Sequence, residues 1–255
     1  GEPCEMPGIM EFCDQSGIEV IEDCSQAVGA VPESGEKRVG SYGRFGCFST
    51  MYRKNLSVSG SSGLLYSSTE EDYNLARQFA DRGKQWWNTK KVDMRDPGFA
   101  DFPALNWNSD ELRCAIGCAN IKRLEATNKS RRKFLESFLN ALDQSNSRLF
   151  RPYNYHNGFS PFYFPIFVNS EITNKSVVEI SNDLKDLGIG VGVKYGCLVS
   201  TWSWAKPFMY DNFESVNALK TRDDCFHLYL NENYGAKEVK FIISNLIKYE
   251  QYLLC

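Results

Sequence analysis

The sequence predicts a mixed α/β chain in two parts, an α/β region over residues 1–135 and a smaller α+β region over residues 136–255. Three observations lead there. Short apolar runs that read as strands alternate with helical patterns in the first part, the order expected of a sheet flanked by helices. Towards the C-terminus the pattern changes to strand, helix, strand and one long helical stripe. The composition, 42% hydrophobic and 24% charged over 255 residues, is that of ordinary globular chains and allows a substantial core.

Met6, Ile9, Met10 and Phe12 give a short apolar helical face that Gly17 stops, and Ile18 to Ile21 reads as a strand. Ala27 to Ser41 is rich in Gly, Pro and small residues and reads as loop. Phe45 to Ser49 and Gly63 to Ser67 read as the next two strands. Glu70, Glu71 and Asp72 open a helix reaching about Gly83, with acidic residues where the helix dipole favours them. Trp86 to Asn106 is irregular, with aromatic residues, Pro97 and Pro103. Ser109-Asp110-Glu111 begins a long helix through Leu112, Ala115, Ile116, Ala119 and Leu124. The basic residues that follow, Lys129, Arg131, Arg132 and Lys133, read as a solvated helix face. Further on, Phe162 to Val168 is a strand. Ser176 caps a helix whose apolar face is Val177, Ile180, Leu184 and Leu187; Gly188 ends it, and Ile189 to Tyr195 returns as strand. Val239, Ile242, Ile243, Leu246 and Ile247 form the stripe of a final helix.

Composition also excludes several classes. A disordered tail, a collagen-like chain and a coiled coil do not fit it. The net charge of −3, from 29 basic and 32 acidic residues, gives no bulk attraction to nucleic acid or anionic membrane. No apolar run reaches the ~20 residues of a transmembrane helix, and the N-terminus lacks the layout of a signal peptide. The nine cysteines are scattered, with no C-x-x-C pair and only His156 and His227 to help them, so neither a zinc site nor a disulfide framework is expected. Reduced thiols in a cytoplasmic protein are the plain expectation.

The candidate chemistry gathers after the first two strands. Asp23 and Gln26 follow Val20-Ile21, where open α/β sheets place ligand groups, although an Asp there also serves as a helix cap. Ser49 ends the next strand, and Lys54 lies shortly beyond it. Alone, a loop lysine is solvated surface. Gly188-Ile189-Gly190-Val191-Gly192 is no dinucleotide fingerprint, because it follows a helix and enters a strand.

Taken together, these segments resemble the DegT/DnrJ/EryC1/StrS family of pyridoxal-phosphate-dependent sugar aminotransferases. The motifs are Val20-Ile21-Glu22-Asp23-Cys24-Ser25-Gln26-Ala27-Val28-Gly29-Ala30, then Gly40-Ser41-Tyr42-Gly43-Arg44-Phe45-Gly46-Cys47-Phe48-Ser49, then Lys54-Asn55-Leu56. Leu105-Asn106-Trp107-Asn108-Ser109-Asp110-Glu111-Leu112 and Leu187 to Val193 with Tyr195 continue the likeness. The resemblance implies the C-terminal part of an aspartate-aminotransferase-like (fold type I) large domain, followed by a small α+β domain. It implies transfer of an amino group from glutamate or glutamine to a keto-sugar, nucleotide-linked, or to a keto-cyclitol. By it, Lys54 joins pyridoxal phosphate and moves protons during turnover, Asp23 pairs with the ring nitrogen, Gln26 lies near the ring hydroxyl, Ser49 binds the phosphate, and Asn106 reaches the cofactor of a neighbouring subunit.

The family's N-terminal segment, with its phosphate loop, has no counterpart here, so a homodimer or a pairing with a chain bearing that half is expected. Aromatic Trp86-Trp87 to Trp107 adds to that expectation. The departures from the family pattern are Arg44 for an acidic residue, Gly60-Ser61-Ser62-Gly63 for G-E-G-G, Asn108 for Arg and Lys194 for His. They are expected around the site and the subunit interface, and they leave a non-catalytic partner subunit as the alternative. A dehydratase of the family replaces the lysine by histidine, which Lys54 disfavours.

Overall fold

The computed structural model describes residues 1–85, 97–193, 195–211 and 214–254; Trp86, Trp87, Lys194 and Cys255 lie outside them. The chain packs as two units, Gly1–Asn128 with His156–Ser160, and Lys129–Tyr155 with Pro161–Cys255.

In the first unit, α1 (Met6–Ser16) ends on Gly17 in the left-handed conformation that lets the chain turn into the sheet. Three strands follow, β1 (Ile21–Asp23), β2 (Phe45–Ser49) and β3 (Gly63–Ser67), in that spatial order. β1 and β2 are parallel, β2 and β3 antiparallel. β1 lies later than the expected Ile18 to Ile21. Pairing decides its limits: Ile21 to Asp23 lie opposite Phe45 to Cys47, and the Val20 carbonyl already accepts from the Arg44 N–H at 2.9 Å. Apolar Ile18 and Ile21 remain exposed.

α2 (Glu70–Ala80) is capped by Thr69, whose hydroxyl accepts from the Asp72 N–H. It stops short of Gly83 because Arg82 and Gly83 adopt φ of 59° and 75°. The single helix expected from Ser109 is two, α3 (Glu111–Ile121), capped by Asp110, and α4 (Leu124–Gln144), separated by a turn at Lys122 and Arg123.

The second unit holds β4 (Phe150–Pro152), β5 (Tyr163–Val168), α5 (Val177–Asp186), β6 (Val191–Gly192), α6 (Val216–Asp224), β7 (Cys225–Tyr229) and α7 (Ala236–Leu254). Its antiparallel sheet runs β4-β5-β7-β6. The core joins Leu135 and Phe138 of α4, Phe164 and Ile166 of β5, and Ile180 and Leu184 of α5 to Phe226 and Leu228 of β7 and Leu246 of α7. Ser176 and Glu179 close a reciprocal capping box at the start of α5. Of the strand expected over Ile189 to Tyr195, the described residues form Val191–Gly192. Arg131 is not on a solvated face as expected: it is buried, and its guanidinium meets Glu232 at 2.9 Å.

Among the described residues no helix is long and apolar enough to cross a membrane. The eight described cysteines are free thiols, and burial pushes those of Cys24 and Cys225 up to about 12 and about 11.

Candidate active site

Parallel pairing brings the carboxyl ends of β1 and β2 to one edge of the sheet, the edge where open α/β sheets hold their ligands. Asp23 ends β1, and Ser49 ends β2. The turn after β1 closes with the Ala27 N–H on the Cys24 carbonyl at 3.0 Å and carries Gln26, half-buried. The loop after β2 carries Lys54, whose N–H bonds the Met51 carbonyl at 2.8 Å. That loop is pinned to the approach of β3 by Thr50 N–H to Ser62 O at 3.0 Å and Tyr52 N–H to Gly60 O at 2.9 Å.

The two charged groups of this edge act on one another. Hydrogen bonds from the Ser25 hydroxyl and the Ser25 N–H hold the Asp23 carboxyl below its ordinary value, burial opposes them, and the Lys54 charge adds to the lowering. Burial lowers the Lys54 amine, and the Asp23 carboxylate partly restores it. A less basic amine is neutral in a larger fraction of molecules near pH 7, the state in which nitrogen is a nucleophile. The edge therefore holds an anionic carboxylate, a hydroxyl, an amide and an amine of lowered basicity.

Asn106 belongs to a second cluster at the end of α2. It forms an isolated bridge with Asp81, and its Oδ1 accepts from Asn108 Nδ2 at 2.9 Å. Asn108 Nδ2 also donates to Asp81 Oδ1 at 3.0 Å, while Lys84 Nζ reaches Asp81 Oδ2 at 3.1 Å. Burial pushes the Asp81 carboxyl up, but donors on Asn108, Arg82 and Lys84 outweigh it and set it at about 2. The folded value lies below that of an unfolded aspartate, about 3.9, so Asp81 stabilises the fold above that pH and loses its contribution as pH falls towards 2. Asp81→Asn is expected to flatten the acid limb of first-unit stability over that window, measured by urea unfolding at stepped pH. An unchanged limb would show that Asp81 does not set it.

Two side chains that the sequence reading passed over shape the edge. Glu22 is buried beneath the loop preceding β2, and its carboxylate accepts three backbone N–H groups: Gly40 at 2.6 Å, Tyr42 at 2.7 Å and Gly43 at 2.8 Å. The glycines of that motif follow from the wrapping. A Cβ on Gly46 would overlap the Gly40 carbonyl, and Gly40 itself has φ of 90° with Phe48 against it. The other is Asn55, beside Lys54, which bonds Asn128 and Ser160.

Arg44 lies away from this edge. It precedes β2 at the end opposite Ser49, where Nη2 pairs with Asp72 at 2.6 Å and Nη1 with Glu19 at 3.4 Å. At about 3.3 Å per residue, β2 separates Arg44 from Ser49 by roughly 16 Å.

This arrangement of a partly parallel sheet, strand-end carboxylate and loop lysine, with a separate α+β unit, is the fold of type I aminotransferases. An aminotransferase from Psychrobacter cryohalolentis superposes with a TM-score of 0.82 at 21% identity, covering 99% of this chain and 67% of that one. Helicobacter pylori PseC, an aminotransferase involved in the biosynthesis of pseudoaminic acid, gives 0.81 at 18% identity over 99% and 65%. The chain belongs to the DegT/DnrJ/EryC1/StrS aminotransferase family, whose profile matches residues 1–247.

Among curated relatives, the UDP-N-acetyl-3-dehydro-alpha-D-glucosamine 3-aminotransferase of Acidithiobacillus ferrooxidans is 36% identical over 135 residues, 52% of this chain and 33% of that protein. The GDP-perosamine synthase of Vibrio cholerae is 27% identical over 146 residues, 56% and 36% of the two. The matches thus span about a third of these curated relatives and about two thirds of the solved chains.

Proposed function

We propose that the whole protein is a pyridoxal-phosphate-dependent aminotransferase that moves an amino group from glutamate or glutamine onto a keto-sugar carried by a nucleotide. The observation that carries this reading is the placement of Asp23 at the carboxyl end of β1 and of a partly buried Lys54 in the loop after β2, where their charges act on one another. The names of the two curated relatives, one UDP-linked and one GDP-linked, support a nucleotide-linked acceptor.

The residues fit the cofactor by charge and by type. Pyridoxal phosphate, when bound, supplies an electron sink for the bonds at the donor's Cα. Asp23 offers an ionised carboxylate to a protonated ring nitrogen. Ser49 offers a hydroxyl to phosphate, and Gln26 an amide to the ring hydroxyl. Lys54, whose Nζ is less basic than that of an exposed lysine, would hold the cofactor through that amine, and the same Nζ, freed when the donor's amino group takes its place, would take and return the proton at the donor's Cα as general base and acid. Asn106, exposed beside Trp107 at 75% exposure, suits contact with the cofactor of a second copy or of a partner chain.

The test is borohydride reduction of the full-length protein with pyridoxal phosphate, followed by peptide mapping. The reduced cofactor is expected on Lys54, with no adduct in Lys54→Ala. An adduct on another lysine would overturn the assignment.

A further inference from the structure

Four polar groups from separate stretches of the first unit close into a hydrogen-bonded ring, half-buried at Asn55 and buried elsewhere. The side-chain nitrogen of Asn55 donates to Asn128 Oδ1 at 3.0 Å and to Ser160 Oγ at 3.2 Å. Asn128 Nδ2 donates to the Val28 carbonyl at 3.0 Å, and Ser160 Oγ donates to the same carbonyl at 2.7 Å. Asn128 and Ser160 are wholly buried. Gly29, the glycine of the Gln26-Ala27-Val28-Gly29 motif, makes room for the ring: a Cβ there would stand 3.0 Å from Asn128 Nδ2.

The placement of this ring ties it to the site. Val28 lies on the loop that leaves Asp23, and Asn55 is the neighbour of Lys54. The ring therefore joins the two loops that carry the interacting charges. We infer that Asn128 and Ser160 are positioning residues, which hold Lys54 against Asp23 through Asn55 and the Val28 carbonyl. The inference rests on the role given to Lys54 above.

The physical reason lies in direction. Apolar contact would keep the two loops together without setting their angle, whereas hydrogen bonds weaken steeply away from line and distance. Each member also satisfies the others where water is excluded, so a half-broken ring leaves a buried polar group unpaired. The depressed basicity of Lys54 depends on that arrangement, because burial causes it and Asp23 opposes it. Loosening the loops hydrates the amine and returns it towards an ordinary lysine.

The test reads the amine itself. Full-length protein, stripped of bound aldehydes, is reductively methylated with formaldehyde and cyanoborohydride at stepped pH, and each lysine is quantified by peptide mass. In the wild type, Lys54 is expected to react with a midpoint below that of an unperturbed, solvent-exposed lysine. Ser160→Ala and Asn128→Asp, the second keeping shape but replacing a donor by an acceptor, should lose that advantage. Should Asn128→Asp fail to fold, Ser160→Ala decides alone. A folded variant with a lower melting temperature and an unmoved Lys54 midpoint overturns the inference, because the ring is then structural only. A wild-type Lys54 that titrates as an ordinary exposed lysine overturns the reading of Lys54 itself.

Discussion

If the proposed function holds, Asp23→Asn is expected to lower aminotransferase turnover of the full-length protein by on the order of 10²–10³-fold, the usual cost of removing one preorganised electrostatic partner. It is expected to change stability by no more than about 1 kcal/mol. The side chain is exposed, and its hydrogen bonds are local, to the N–H and hydroxyl of Ser25. Asparagine keeps an oxygen for those donors but carries no charge to hold a ring nitrogen protonated. The substitution has a second consequence of fixed sign. The Asp23 carboxylate raises the Lys54 amine against the effect of burial. Its neutralisation should therefore move the Lys54 midpoint to lower pH. Near-normal turnover with a lower melting temperature would make Asp23 a turn-forming residue and nothing more.

Its neighbour should behave in the opposite way. Glu22→Ala is expected to cost about 3–5 kcal/mol in the first unit. Bonds to a charged acceptor contribute about 1.5–3 kcal/mol each, and the three share one carboxylate, so their sum is an upper limit. The loss should appear in urea unfolding and in faster hydrogen exchange at the amides of Gly40, Tyr42 and Gly43. Glu22→Gln should fall between, because Oε1 serves Tyr42 and Gly43 while Oε2 serves Gly40 alone. An amide oriented to keep the first two bonds turns its own donor towards the Gly40 N–H. A loss below about 1 kcal/mol in Glu22→Ala would show that water replaces the carboxylate.

These adjacent acids illustrate what local pattern conveys. Both stand in one motif, and strand alternation points them to opposite faces of the sheet. The sequence singled out Asp23 and was silent on Glu22, whose partners are backbone groups around Gly40, beyond the reach of any local signal. Arg131 misleads in the same way, since a basic run reads as solvated until Glu232 is brought to it. β7 carries no local signal: Cys225 to Tyr229 follows α6 without a turn residue, and it becomes a strand by lying between β5 and β6.

By itself the sequence determined the family, the strands at Phe45–Ser49 and Gly63–Ser67, the helix between Ser176 and Gly188, and a final helix along the stripe from Val239 to Ile247, which the structure extends to Ala236–Leu254. Each of these rests on short-range information: residue order, side-chain period and cap chemistry. Tertiary structure alone decided where β1 begins and which basic residue is buried. It also decided that Asn128 and Ser160 meet at Asn55, the chain neighbour of Lys54. Those outcomes depend on pairing between residues far apart in the chain, and a hydrogen bond across such a separation leaves no periodic trace in the sequence that makes it.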